Sequence, residues 1–120
     1  MNHAAEINKA IGAHGMWKTR LTTAIDNGNS DVTPEQTEVD NQCAFGKWLH
    51  SLPPSEHNSE HYRKVQTLHA AFHKEAAKVL RLALNGKKPE AKQAMAGGGS
   101  FATASANLTS AMMAWQKASG

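Results

Sequence analysis

The chain has 120 residues and 12.9 kDa, with 40% hydrophobic and 19% charged residues. That balance suits one globular domain and excludes both a disordered chain and two domains of ordinary size. Thirteen Lys and Arg against ten Asp and Glu leave a formal charge of +3, and a single cysteine stands among seven histidines. One cysteine excludes an internal disulfide, and with it the small secreted, disulfide-stapled class.

A nucleic-acid binder gathers its basic residues on one face or along one helix. Here Lys87-Lys88 sits beside Asn85-Gly86, a turn signal, so no nucleic-acid partner is expected. No apolar run approaches the roughly 18 residues of a membrane span. Residues 1–6 lack the apolar core of a secretory signal. A reduced, cytoplasmic setting without membrane insertion is expected. Residues 1–120 read as one domain, either alone or as a piece of a longer protein.

Residues 3–26 read as one helix. Ile7, Ile11, His14, Lys18, Leu21 and Ile25 fall at three- and four-residue steps, with Ala10, Trp17 and Ala24 beside them. Asp26-Asn27-Gly28-Asn29 ends it. Thr33-Pro34-Glu35 looks like an N-cap followed by proline at the first helical position. Residues 34–50 then predict one or two short helices carrying Cys43, Phe45, Trp48 and Leu49, stopped by Pro53-Pro54.

The next helix is expected from Ser55, as its cap, to Asn85-Gly86. Its stripe is Tyr62, Val65, His69, Phe72, Ala76, Val79 and Ala83, widened by Leu68, Leu80 and Leu84. A last helix spans 89–117, broken or kinked at Gly97-Gly98-Gly99, since glycine costs up to about 1 kcal/mol against alanine inside a helix. Phe101, Ala104, Leu108, Met112 and Trp115 resume the period. No strand-like alternation occurs. The fold class is all-α: a four-helix bundle with a short extra helix or helices carrying the cysteine.

Two histidines interrupt apolar stripes, where an unpaired imidazole is costly. His14 does so on the first helix and His69 on the helix expected from Ser55 to Asn85-Gly86. His73 follows His69 by four residues, so both rings project from one face a turn apart. That is a way to present two nitrogen ligands to one metal, and it is also what one core histidine beside a surface one looks like. Cys43 likewise reads either as a small core hydrophobe or as a ligand. Together, one Cys and three His on three separate helices suit zinc, which accepts a mixed N/S tetrahedron.

His57-Asn58-Ser59-Glu60-His61 formally matches the H-x-x-E-H pattern of a zinc peptidase. Its flanks are polar, and twelve residues from His61 to His73 span roughly 18 Å of helix, so the two pairs cannot share an ion. His3, His50, His57 and His61 are taken as surface residues. There is no C-x-x-C-H for covalent haem, no Glu-x-x-His for a di-iron bundle and no phosphate loop.

Three segments together resemble the bacterial chemoreceptor zinc-binding (CZB) domain: Ala10-Ile11-Gly12-Ala13-His14-Gly15-Met16-Trp17-Lys18, Cys43-Ala44-Phe45-Gly46-Lys47-Trp48-Leu49 and His69-Ala70-Ala71-Phe72-His73. The Cys-x-Phe-Gly-x-Trp segment is the most specific, because neither helicity nor amphipathicity demands it. The region after residue 86 resembles the family least. The resemblance implies a four-helix bundle with a 3His/1Cys zinc site, its ligands His14, Cys43, His69 and His73. It also implies a homodimeric, non-enzymatic input to a chemoreceptor or diguanylate cyclase output, in cis or in trans, responsive to zinc or to oxidants at the cysteine. Trp17, Phe45, Gly46 and Trp48 would pack around the ligands. The runner-up is a structural interaction module with zinc as a staple; a small metallopeptidase using His57, Glu60 and His61 comes third.

Overall fold

The computed structural model describes residues 4–30, 33–38 and 44–119, and among them there are helices and no strand. The helices are α1 (Ala4–Asn27), α2 (Pro34–Glu38), α3 (Ala44–Ser51), α4 (Glu60–Leu84), α5 (Lys88–Met95) and α6 (Ser100–Ser119). By chain segment these are the four helical stretches that the sequence predicts, the second and fourth each divided in two. The architecture is the expected all-α bundle.

The centre is α4, which packs against α1, α2, α5 and α6. Its predicted stripe is buried throughout, and His73, Ala77 and Leu80 are buried beside it. The pairs Phe72-His73, Ala76-Ala77 and Val79-Leu80 widen the apolar face well past the stripe that one neighbour needs, so α4 can serve several partners at once. Leu84 departs from the expected face and is exposed at 40%. On α1, Ile7, Ala10, His14, Leu21, Ala24 and Ile25 are buried. Lys18 is exposed, and half-buried Trp17 covers that turn instead. Each fully buried Leu, Ile or Phe contributes about 1.5–3 kcal/mol over its exposed state.

Ser55 does not cap α4. It has helical backbone angles (φ −61°, ψ −30°) and precedes a 3-10 turn over Glu56–Asn58. That turn forms because the Pro53 and Pro54 carbonyls accept from Glu56 and His57 N–H at 2.9 and 3.1 Å. Ser59 is extended (φ −68°, ψ 136°), the geometry an N-cap requires, and its hydroxyl accepts from Tyr62 N–H at 3.4 Å. The Tyr62 hydroxyl in turn donates to the Leu49 carbonyl at 3.2 Å, tying α3 to the start of α4.

The triple glycine is the break between α5 and α6. Gly98 has φ +87°, and a Cβ on Gly99 would run into the backbone carbonyls of Gln93 and Ala94. The chain can therefore reverse tightly enough to bury both Ala91 of α5 and Phe101 of α6. No helix among the described residues is long and apolar enough to cross a membrane.

Candidate metal centre

Three imidazoles meet between α1 and α4. His14, His69 and His73 are 6%, 0% and 2% exposed, and one potential ligand atom from each lies within 4.8 Å of the others. The i, i+4 spacing brings the His69 and His73 Nε2 atoms to 3.1 Å. Two nitrogens bound at about 2.0–2.1 Å to one tetrahedral ion stand about 3.3–3.4 Å apart, so little movement separates this pair from a ligand pair.

The outer ring nitrogens decide which atoms face inward. His14 Nδ1–H donates to the Ala10 carbonyl at 2.7 Å, and His73 Nδ1–H donates to the Thr37 carbonyl at 2.9 Å. A carbonyl can only accept, so the proton on each ring sits at Nδ1 and the lone pair at Nε2. Metal-binding histidines are typically oriented in this way, by a carbonyl or carboxylate on the far nitrogen. His14 Nε2 is buried without a hydrogen-bond partner. Such a group costs about 1–3 kcal/mol, and a bound cation would satisfy it.

Burial pushes the His14 pKa down to about 4; the Ala10 bond raises it and His73 lowers it further. His69 is driven far below the ordinary imidazole range, first by burial and then by His73, His14 and His50. Both are therefore neutral at pH 7, the form that binds metal. A set of neutral imidazoles without a carboxylate suits zinc and disfavours calcium or magnesium.

Aromatic rings wall the cluster. Phe45 meets His14 and His69 edge-on at 5.7 and 5.2 Å between centroids, Phe72 meets His14 at 5.1 Å, and Trp17 meets His73 at 6.1 Å. Trp48 stacks on Phe45 at 5.6 Å and reaches Trp115 at 5.7 Å. The packing role expected of Trp17, Phe45 and Trp48 is thus visible. A cleft of about 130 Å³ between Ala10, Ala13, Trp17 and Phe45 reaches His14 from the surface.

The structure brings together three of the four candidate ligands read from the sequence; the fourth, Cys43, lies outside the described residues, as does His3. His50 is exposed, as expected. His57 and His61 are half-buried instead of exposed; the His57 ring stacks on Tyr62 at 4.5 Å and 10°. His57 lies on the 3-10 turn while Glu60 and His61 lie on α4, so the H-x-x-E-H pattern is not presented by one helix. Among the described residues, His14, His69 and His73 are the only group of three placed to hold an ion. Sequence reasoning missed the Ala10 and Thr37 carbonyls, which carry no residue-type signal.

Buried imidazoles bridging two helices of a bundle define a helical metal-binding domain. The family model of the chemoreceptor zinc-binding domain (CZB) matches residues 14–80, more than half of the chain. The chain belongs to that family, and its metal is zinc. The match ends before α5 and α6, where the sequence resembles the family least. No curated protein and no solved structure matches the chain.

Proposed function

We propose that this domain is a zinc-binding regulatory input, with His14, Cys43, His69 and His73 as ligands, modulating a bacterial signalling output of chemoreceptor or diguanylate cyclase type. The observation that carries the reading is the cluster of three buried imidazoles with two Nδ1–H groups tied to carbonyls. Cys43 is supported by the Cys-x-Phe motif, since Phe45, two residues on, packs against His14 and His69. Family resemblance supports a cytoplasmic homodimer with the output attached in cis or acting in trans.

Bound zinc would supply a charge held by four protein ligands, leaving no position for a substrate, which fits regulation and not catalysis. His14 joins α1 to the site, and His69 and His73 join α4. Cys43 would add the segment that leads into α3. Losing one ligand loosens a junction of separate elements, a change that an attached domain can read. Cys43 also offers an oxidant input. Its thiolate attacks a peroxide, forming sulfenic acid as the O–O bond breaks and hydroxide leaves, and the site loses its sulfur ligand.

Metal analysis and chelator competition test the site. The unaltered chain and a His57→Ala/His61→Ala form should each bind one zinc, and a His69→Ala/His73→Ala form none. Equal loss in the two double variants would reject the ligand set. Hydrogen exchange over residues 38–50 tests the regulatory role. Protection that rises with zinc supports it; identical protection with and without zinc reduces zinc to a staple. Peroxide should release zinc from the unaltered chain faster than from Cys43→Ser.

A further inference from the structure

We infer that α2 is the outer support of the metal site, and that Thr33 and Gln36 are positioning residues for His73. This rests on the reading of His73 as a zinc ligand.

Five residues are too few for a helix to hold itself, because nucleation alone is unfavourable. Yet α2 is tied at every turn. Thr33 N–H donates to Gln36 Oε1 at 3.0 Å, and Gln36 N–H donates to Thr33 Oγ1 at 3.1 Å, a reciprocal capping box. The Thr37 N–H and hydroxyl both donate to the Thr33 carbonyl, at 3.0 and 2.9 Å. Arg81 Nη2 reaches Glu38 Oε2 at 2.8 Å, attaching α2 to α4. Buried Thr37 stands in the last turn, whose carbonyls a helix cannot pair internally. Its carbonyl takes the His73 Nδ1–H at 2.9 Å.

That bond sets both the ring orientation of His73 and its tautomer. With the proton held at Nδ1, the lone pair stays on Nε2, 3.1 Å from His69 Nε2. If α2 shifts, the Thr37 carbonyl no longer holds the proton at Nδ1, and the tautomer with its lone pair on Nε2 loses its advantage. His14 has no such dependence, because its Nδ1 partner, Ala10, lies four residues back on its own helix. The coupling runs both ways. Whatever α2 contributes to zinc binding, zinc returns to the docking of α2.

The test uses the full chain with Thr33→Ala/Gln36→Ala. Two readouts are taken: zinc affinity by chelator competition, and imidazole tautomers of the metal-free protein by two-bond proton–nitrogen NMR. Zinc affinity should fall about 10- to 100-fold, the usual cost of losing a partner that orients a metal-binding histidine. His73 should lose its Nδ1–H signature while His14 keeps its own. Thr33→Ser and Gln36→Glu, which preserve the box, should bind zinc as the unaltered chain does. If the double variant does not fold, Arg81→Gln, which removes only the tie to Glu38, should show a smaller loss in the same direction. Zinc affinity and a His73 tautomer both unchanged in a folded variant would overturn the inference alone. Loss of both histidine signatures together would also overturn it, in favour of a general loss of structure. An unaltered chain that binds no zinc would overturn the proposed function and this inference with it.

Discussion

Two stretches of α4 are equally buried and physically opposite. From Ala76 to Ala83 the inward residues Ala76, Ala77, Val79, Leu80 and Ala83 are 0–4% exposed, and from His69 to His73 so are His69, Phe72 and His73. The first stretch removes apolar surface from water and stabilises the fold whether or not metal is present. The second buries imidazole nitrogens, which oppose folding unless each finds a partner. The helix thus carries its stability on one stretch and its ligand chemistry on the next. A buried cost with no structural return marks the functional site.

The largest effect should separate the two stretches outright. His69→Ala/His73→Ala should abolish zinc binding in a metal assay. Leu80→Ala should cost about 2–4 kcal/mol in denaturant melts of both metal-free and zinc-loaded protein, leaving one zinc per folded chain. If Leu80→Ala lost zinc as completely, the comparison would fail.

Acid comes next. In the metal-free protein His14 titrates near 4 when folded, against an ordinary value of 6.5 when unfolded. Between these values the unfolded chain holds a proton that the folded chain refuses. Stability is therefore complete above about pH 6.5 and falls as pH drops towards 4, by an order of 3 kcal/mol. Melts from pH 7.5 to 4.5 should show the decline, and a His14→Leu form should show a shallower one.

Smaller effects sharpen the picture elsewhere. Gly99→Ala should destabilise by about 1–3 kcal/mol, through strain against the Gln93 and Ala94 carbonyls, while Gly97→Ala, with open space around it, should stay within about 0.5 kcal/mol. Equal costs would mean that the turn does not need its tight approach. Finally, His14→Leu should raise the metal-free stability by about 1 kcal/mol, since it removes a buried nitrogen without a partner. The same change should weaken zinc binding. A metal-free form that is less stable would show that the imidazole helps to build the core.

Much of the fold is legible in the residue pattern. The α4 stripe, the C-terminal end of α1, the break at Gly97-Gly98-Gly99 and the His69–His73 pair are all short-range features, set by the 3.6-residue period or by glycine. The choice of Ser59 over Ser55 is not, because both are serines near a helix start and only the 3-10 turn after Pro53-Pro54 decides between them. Nor is the position of His57, whose polar neighbours suggest exposure while its ring lies on Tyr62.

The sequence by itself determined most of the helices, the inward direction of His14 and His69, the shared face of His69 and His73, and the motif that points to zinc. Each is a property of one helix or one short segment, where spacing dictates direction. Only the tertiary structure decided that His14 arrives beside the α4 pair, and that the Ala10 and Thr37 carbonyls turn Nε2 inward on two rings. The reason is physical: helix docking depends on packing across the whole bundle, and a backbone carbonyl is the same in every residue.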